Sequence, residues 1–505
     1  MKAIRRVVIV GGGTAGWMAA LPLAKLVVGP NGQRCTITLV ESPEIGTIGV
    51  GEATLPPIAA YNATMGIDPV AFLRETKATY KLGIEFCDWG RLGHRFFHGF
   101  GDFGPALGHL DAFSCWLRLH AEGHAGSYED GSTATEMARQ HRFQLPQGDH
   151  GSPLGAFSYA YHFDAGLYAA FLRRQAEALG VTRIEGTVTE VALHPETGFV
   201  THVALADGRR IDGDLFIDCS GFRGLLIEQV LHVGYEDWSH FLPCDRALAV
   251  PSANAARLAP FTRSTARSAG WQWRIPLQHR IGNGLVWCSG FTNEAAAERE
   301  LLEGLDTKAL DTPRALRFTT GRRRRIWYRN VVALGLASGF LEPLESTSIQ
   351  LIIDGVGRLV ELFPDLDFAP ELAAEYDRRM HRQYESIRDF IVLHYKLTQR
   401  DDSAFWRHCA ALPVPDVLAH QIEFFRATGR VTVLDPDSFR APSWISLLMG
   451  LGSHPRRHDP QVDCVPGDVL RRYAQHVRAT IVAAVGSMPD HAACIERQLR
   501  TGRAA

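Results

Sequence analysis

Gly11-Gly12-Gly13-Thr14-Ala15-Gly16 stands between the β-branched run Arg6-Val7-Val8-Ile9-Val10 and an apolar stretch from Trp17 to Val28. A G-x-G-x-x-G turn between a strand and a helix is a phosphate cradle. Gly11 allows the tight turn, and Gly13 lets the backbone approach a pyrophosphate seated on the free N–H groups of the helix start. Thr36 to Val40 reads as the next strand, with Glu41 at its end. A carboxylate placed there accepts hydrogen bonds from ribose hydroxyls. These parts predict a dinucleotide site built from Gly11, Gly13, Thr14, Ala15, Gly16 and Glu41. The motif does not separate FAD from NAD. Its position at the start of the chain, the long insertions and a later strand-turn at Ala333 to Gly339 favour FAD. Val188, opening a predicted strand, and Leu336, in that later turn, are assigned to the same cofactor.

Other segments carry chemistry-bearing residues without a self-sufficient motif. Trp271 and Trp273 alternate as they would on one face of a strand; aromatic core explains them as well as shielding of a reactive group. His98 and Phe100, in Phe97-His98-Gly99-Phe100, either line an aromatic pocket or belong to an aromatic-rich core. Lys81 taken alone reads as a solvated lysine ahead of Leu82-Gly83-Ile84. Glu345 lies in the otherwise uncharged stretch Pro343 to Ile353, where a carboxylate needs a partner or a use; a place near a helix N-terminus is the alternative. Arg322 to Arg325 is expected to be a solvated face or a contact to cofactor phosphates.

The elements that must position these residues follow from the same pass. Helices are expected from Trp17 to Val28 and over 164–180. Strands are expected at 188–193, 200–206 and 215–218 around the Asp207-Gly208 turn, with a further buried strand at 330–337. Residues 70–150 show few clear periods and read as substrate-side structure, and the chain beyond about 365 is mostly helical. This is an α/β protein with a nucleotide-binding Rossmann-type fold, an inserted mixed sheet and a C-terminal helical subdomain. The expected division is a catalytic module over 1–360, with insertions at about 65–150 and 225–325, and a helical part over 361–505 covering the substrate chamber.

Bulk properties narrow the partners. The chain has 505 residues, 46% hydrophobic and 21% charged, with 53 Lys plus Arg against 55 Asp plus Glu. A net charge of −2 gives no field for nucleic acid or an anionic membrane, so the substrate is expected to be small and chosen by a pocket. Nine dispersed cysteines without metal spacing suit reduced thiols in the cytoplasm, and no metal is expected. No apolar run is long enough for a membrane span.

Several segments in order resemble the tryptophan halogenase family: Gly11 to Ala20; Gly49-Val50-Gly51-Glu52-Ala53-Thr54 with Pro56 and Pro57; Ile217 to Arg223; Trp271-Gln272-Trp273-Arg274-Ile275-Pro276, a W-x-W-x-I-P signature; and Phe340 to Thr347. The resemblance covers most of the chain. It implies a fold of the class A flavin monooxygenase kind. It also implies a reaction in which reduced FAD, O2 and halide yield hypohalous acid, which reaches a second chamber and attacks an electron-rich aromatic ring. By the same resemblance Lys81 holds the hypohalous acid, as a hydrogen-bond donor or as a haloamine. Glu345 is the assisting carboxylate. Backbone N–H groups at Thr347 and Ser348 hold chloride or bromide. His98 and Phe100 line the chamber, and Trp271 and Trp273 shield the flavin. Ser348 departs from the family's usual glycine, so its backbone angle bears on the halide site.

A second departure concerns the substrate. Family members that act on free tryptophan have a tyrosine-rich lid that clamps the amino-acid end. The corresponding Pro442 to Gly450 has neither tyrosine nor carboxylate, and a buried zwitterion without partners is expensive. Indole, a substituted indole, a phenol or a larger indole-bearing molecule fits better. No second nucleotide motif is present, so a separate NAD(P)H-dependent flavin reductase is the expected partner; a homodimer is compatible with the sequence. The rival readings are an aromatic hydroxylase on the same flavin fold, against which the lack of an Asp in Gly335 to Phe340, where such enzymes carry a late Gly-Asp pair, speaks, and a non-catalytic flavoprotein, against which Lys81 and Glu345 speak.

Overall fold

The computed structural model describes residues 3–27, 35–42, 51–148, 152–433 and 438–502; Gly49 and Val50 of the second quoted segment lie outside them. The chain forms two compact units, each assembled from three stretches. One comprises 1–77, 163–239 and 317–385; the other comprises 78–162, 240–316 and 386–505. The nine cysteines are free thiols. Among the described residues no helix is long and apolar enough to cross a membrane.

The first unit is built on a six-stranded sheet. Its order is Trp327–Tyr328, Val331–Ala333, Leu215–Asp218, Arg6–Val10, Thr36–Glu41 and Thr182–Glu185. All neighbours are parallel except the first pair. Val7 to Val10 are buried, as a central strand covered on both faces requires. The helix Thr14–Leu26 is apolar nearly all round and buried from Gly16 to Ala24, so it is a core helix rather than a surface one. Pro22 lies inside it. A proline there removes the N–H that would bond the carbonyl of Met18, and the Tyr61 hydroxyl donates to that carbonyl at 2.8 Å instead. The helix Ala165–Ala178 starts where Asp164 accepts from the N–H groups of Gly166 and Leu167. Val188–Leu193, Val200–Leu205 and Arg210–Asp212 form a separate antiparallel sheet. Its Asp207-Gly208 turn places Gly208 at φ +86.

Two expectations are corrected in this unit. The strand expected at 330–337 covers only Val331–Ala333; Gly335, at φ +62, turns the chain into a short helix, Gly335–Ala337. An apolar run does not reveal where a left-handed glycine ends a strand. The Arg322 to Arg325 run is not one solvated face. Arg322 and Arg323 are buried on the strand Gly321–Arg323, between Tyr235–Asp237 and Gly339–Phe340. Arg322 pairs with Glu236 and Glu385 at 2.9 Å each, and Arg323 pairs with Glu228 at 2.7 Å. Carboxylates distant in sequence supply the partners that burial demands.

The second unit holds a mixed sheet. Arg246–Ser252, Ile281–Trp287, Gly270–Pro276, Thr262–Arg267, Gly83–Cys87 and Arg95–Gly99 lie side by side in that order. Thr262–Arg267 and Gly83–Cys87 are parallel, the other neighbours antiparallel. The shorter strand Thr79–Lys81 pairs antiparallel with residues 160–162. Helices follow at Ala404–Ala411, Asp416–Thr428, Ala441–Gly450, Gly467–Ser487 and His491–Thr501.

A charge inside the first unit generates a stability prediction. Asp354, on the helix Ser348–Glu361, accepts from Gln350 at 2.8 Å, and burial pushes its carboxyl up to about 6 against the opposing pull of Arg358. An acid raised on folding keeps its proton while the unfolded chain loses its own, so stability falls between about pH 4 and 6 and stays lower above that. Asp354→Asn should therefore raise stability near neutral pH, and the gain should fade as pH falls toward 4. Asp354 is only partly shielded from solvent, so a full conversion is discounted to about 1–2 kcal/mol. Paired melting curves across this range measure the difference; a gain independent of pH contradicts the assignment.

Candidate functional site

The glycine turn of the first unit has a division of labour. Gly11 has φ +115, and its N–H donates to the carbonyl of Val40 at 2.8 Å. A Cβ at Gly11 would lie 2.2 Å from the carbonyl oxygen of Cys219, one at Gly16 would lie 1.9 Å from that of Gly11, and one at Gly12 would run into Glu41. Gly13 differs: a Cβ there meets nothing within 4 Å. It precedes Thr14–Leu26 as an N-cap with no side-chain hydrogen bond and no acidic residue in the first turn. The helix thus presents uncapped N–H groups to an open approach, the arrangement that receives a pyrophosphate. Glu41 ends its strand beside Arg183, which pairs with it. A Cβ at Gly335 would lie 2.7 Å from that of Ala15, so the later turn closes on the glycine motif with Leu336 next in chain. Val188 is partly buried at the start of its strand, opposite Leu205. The residues present fit a dinucleotide such as FAD.

Sequence reasoning missed two supports of this cradle. Arg183 fixes Glu41. Asp218, fully buried, accepts from the Ser220 N–H at 3.0 Å, the Ser220 hydroxyl at 2.6 Å, and the Leu226 and Ile227 N–H groups at 2.8 and 2.9 Å. It stood in a quoted motif, yet nothing local says that donors eight and nine residues on fold back to it. Glu52, on Gly51–Ala53, is pushed up to about 7 by burial.

The segment after Phe340 is also in the first unit. Pro343–Glu345 is one short helical turn, Ser346 takes φ 61, and the helix Ser348–Glu361 begins directly. Glu342, Glu345 and Thr347 are fully buried. The left-handed residue is Ser346; Thr347 has φ −89 and Ser348 opens the helix. A glycine at 348 is therefore not needed for backbone freedom. The Thr347 hydroxyl is buried without a hydrogen-bond partner among the described residues, which leaves it able to meet a water, an ion or a ligand.

The second unit contains a buried aromatic cluster. Lys81 is fully buried on Thr79–Lys81, with Nζ 5.1 Å from the centroid of the Phe100 ring. His98 meets Phe100 edge-on at 6.2 Å, Phe390 at 5.8 Å and Phe439 at 6.3 Å. Phe390 and Phe439 stack at 3.8 Å, and Trp444 sets its edge against Phe390 at 4.9 Å. The Trp444 indole N–H is buried and has no partner among the described residues. Trp271 and Trp273, 6.0 Å apart, are buried on Gly270–Pro276. Trp273 crosses the strand pair so closely that a Cβ at Gly284 would lie 2.1 Å from its ring. The structure thus brings Lys81, His98 and Phe100 together in one unit, and places Glu345, Thr347 and Ser348 in the other. Phe390 and Phe439 were not singled out, and Trp444 only as part of Pro442 to Gly450, because scattered aromatics read as core until their neighbours are known.

Comparison with known proteins fits this geometry. The tryptophan halogenase family model matches residues 6–467. The tryptophan 6-halogenase SttH of Streptomyces toxytricini is 38% identical over 90% of this chain and 91% of its own. Among solved structures, the flavin-dependent halogenase Xcc4156 from Xanthomonas campestris superposes with a TM-score of 0.94 at 46% identity, covering 98% of both chains. BrvH, a flavin-dependent halogenase from Brevundimonas sp. BAL3, does so at 0.93 and 44%, covering 98% of this chain and 99% of its own. The chain belongs to the tryptophan halogenase family, whose flavin-dependent enzymes use reduced FAD, O2 and halide to halogenate an aromatic substrate.

Proposed function

We propose that this enzyme halogenates indole or an indole derivative in preference to free tryptophan, and that Lys81 delivers the hypohalous acid. When bound in reduced form, FAD supplies the electrons that turn O2 and halide into that oxidant. Gly11, Gly13, Thr14, Ala15, Gly16 and Glu41 hold its pyrophosphate and ribose, with Val188 and Leu336 beside them, and Trp271 and Trp273 keep organic substrate from it. The Thr347 and Ser348 backbone receives the halide. Glu345 is the carboxylate that stabilises the cationic ring or takes its proton.

The observation that carries this reading is Lys81, fully buried with its amine over the Phe100 ring. A lysine is rarely taken out of water without a use. Its amine donates to hypohalous acid or becomes a haloamine, and either route keeps the oxidant where an aromatic ring stacks.

The substrate choice rests on Ala441–Gly450. Its sequence, APSWISLLMG, offers no charge to a zwitterion. SttH is named for tryptophan; this chain is expected to favour the ring without its amino-acid end. A separate flavin reductase supplies the reduced flavin.

Lys81→Ala should lower halogenated product by about 10³-fold or more while FAD binding and O2 consumption persist. Glu345→Gln, which keeps shape and loses charge, should be slower by about 10²-fold and still bind flavin. Product mass and the flavin spectrum, followed after mixing reduced FAD with aerated halide, measure both. Near wild-type product from Lys81→Ala removes that lysine from the mechanism. In a competition assay, indole should exceed free tryptophan in kcat/KM, with C3, the most electron-rich carbon, substituted first. Equal turnover of tryptophan at one benzo-ring position contradicts the substrate assignment.

A further inference from the structure

The strand that carries Lys81 has little hold of its own. Thr79–Lys81 is three residues long, pairing through Thr79 with His162, Tyr80 with Tyr161 and Lys81 with Ala160. Alternate residues of an antiparallel strand turn their N–H groups away from the partner. The Tyr80 N–H donates to Nε2 of His491 at 3.1 Å. A backbone N–H can only donate, so that nitrogen is bare, the ring is neutral, and Nδ1–H donates to the carbonyl of Leu258 at 3.2 Å. Seven residues further along the same C-terminal helix, on the same face, Gln498 accepts from the Tyr80 hydroxyl at 2.7 Å. The Tyr80 ring stacks on Phe143 at 3.9 Å.

Thr79 is fixed by a second histidine. Its hydroxyl donates to the carbonyl of Pro276 at 2.7 Å, so toward His162 Nδ1, 3.0 Å away, it accepts. His162 Nε2 faces the Thr262 hydroxyl at 2.9 Å. Burial, then the Lys81 charge, hold His162 well below its ordinary pKa, and burial lowers His491 to about 4. Two fully buried neutral imidazoles are a costly way to fasten so short a strand, since apolar side chains would pack there without desolvated nitrogens. What they provide is direction, because each neutral ring donates from one nitrogen and accepts at the other.

We propose that His491 and Gln498 of the C-terminal helix, with His162, form a clamp that positions the Lys81 backbone so that its amine meets the oxidant and the ring together; the proposal rests on the reading of Lys81 given above. None of the three is a catalytic residue. They act through Tyr80 and Thr79, the two residues before the lysine. A long flexible side chain is aimed by its backbone, and a misplacement of about 1 Å can cost about 10²-fold in rate.

The test compares His491→Leu, which loses both bonds, with His491→Gln, whose amide can accept from Tyr80 and donate to Leu258. The full-length enzyme is assayed with reductase, FAD, bromide and indole. His491→Leu should lower kcat by about 10²-fold with KM for indole little changed, and His491→Gln should recover most of it. A second readout needs no turnover. Reductive methylation followed by mass spectrometry should label Lys81 faster in His491→Leu, while Lys25, Lys77, Lys308 and Lys396 keep their wild-type rates. A product rate within twofold of wild type, or Lys81 labelled no faster, overturns the proposal. If His491→Leu melts early or labels all lysines faster, Gln498→Leu decides, since it removes only the acceptor of the Tyr80 hydroxyl. A Lys81-specific gain in labelling supports the clamp, and its absence overturns it. Lys81→Ala runs alongside: if it stays active the reading of the lysine fails, while labelling still reports on the clamp.

Discussion

Asp218 is a carboxylate taken out of water at the end of a central strand, tolerable there because three N–H groups and a hydroxyl converge on it. That bonding fixes the turn Cys219-Ser220, whose backbone closes over Gly11 with no room for a side chain. The turn at Gly11 sets the start of Thr14–Leu26 and leaves Gly13 open in front of uncapped N–H groups. The phosphate cradle is therefore held from behind by one satisfied charge. Loss of that charge would leave its donors unpaired in the core, the costly side of hydrogen-bond energetics.

The same economy recurs where polar groups are buried elsewhere. Met18, opposite Pro22, receives a tyrosine hydroxyl. Arg322 and Arg323 receive carboxylates. The atoms that break this pattern are informative. The Thr347 hydroxyl and the Trp444 indole N–H are buried without partners among the described residues, one in the segment proposed for halide and the other in the aromatic cluster. Native proteins leave few such groups unsatisfied, and an ordered water, an ion or a ligand is what meets them.

Legibility in the sequence followed how local each determinant is. The cradle was readable because strand, glycines, helix and Glu41 are consecutive, and each glycine's role is a backbone requirement expressed at its own position. The end of the strand at Ala333 was not, since nothing in Val331 to Ala337 except Gly335 marks the change of direction. The aromatic cluster was half readable. His98 and Phe100 sit beside each other in the chain, whereas Phe390, Phe439 and Trp444 reach it from two helices and a connecting segment. Lys81 shows the limit best. Its neighbours in sequence say nothing about burial, and the residues that fasten its strand, His162 and His491, lie about 80 and 410 positions away.

On the proposed reading, polarity more than aromatic contact would decide which ring binds beside Lys81. An offset or edge-on ring pair contributes about 0.5–1.5 kcal/mol beyond burial of its area, and indole and tryptophan gain it alike. The amino-acid end differs, because each charge taken from water without a partner costs several kcal/mol. A helix reading APSWISLLMG returns none of that penalty. On the reading proposed above, stacking on Phe100 and its neighbours would not offset it, so a preference for indole would rest on the lack of charge along Ala441–Gly450.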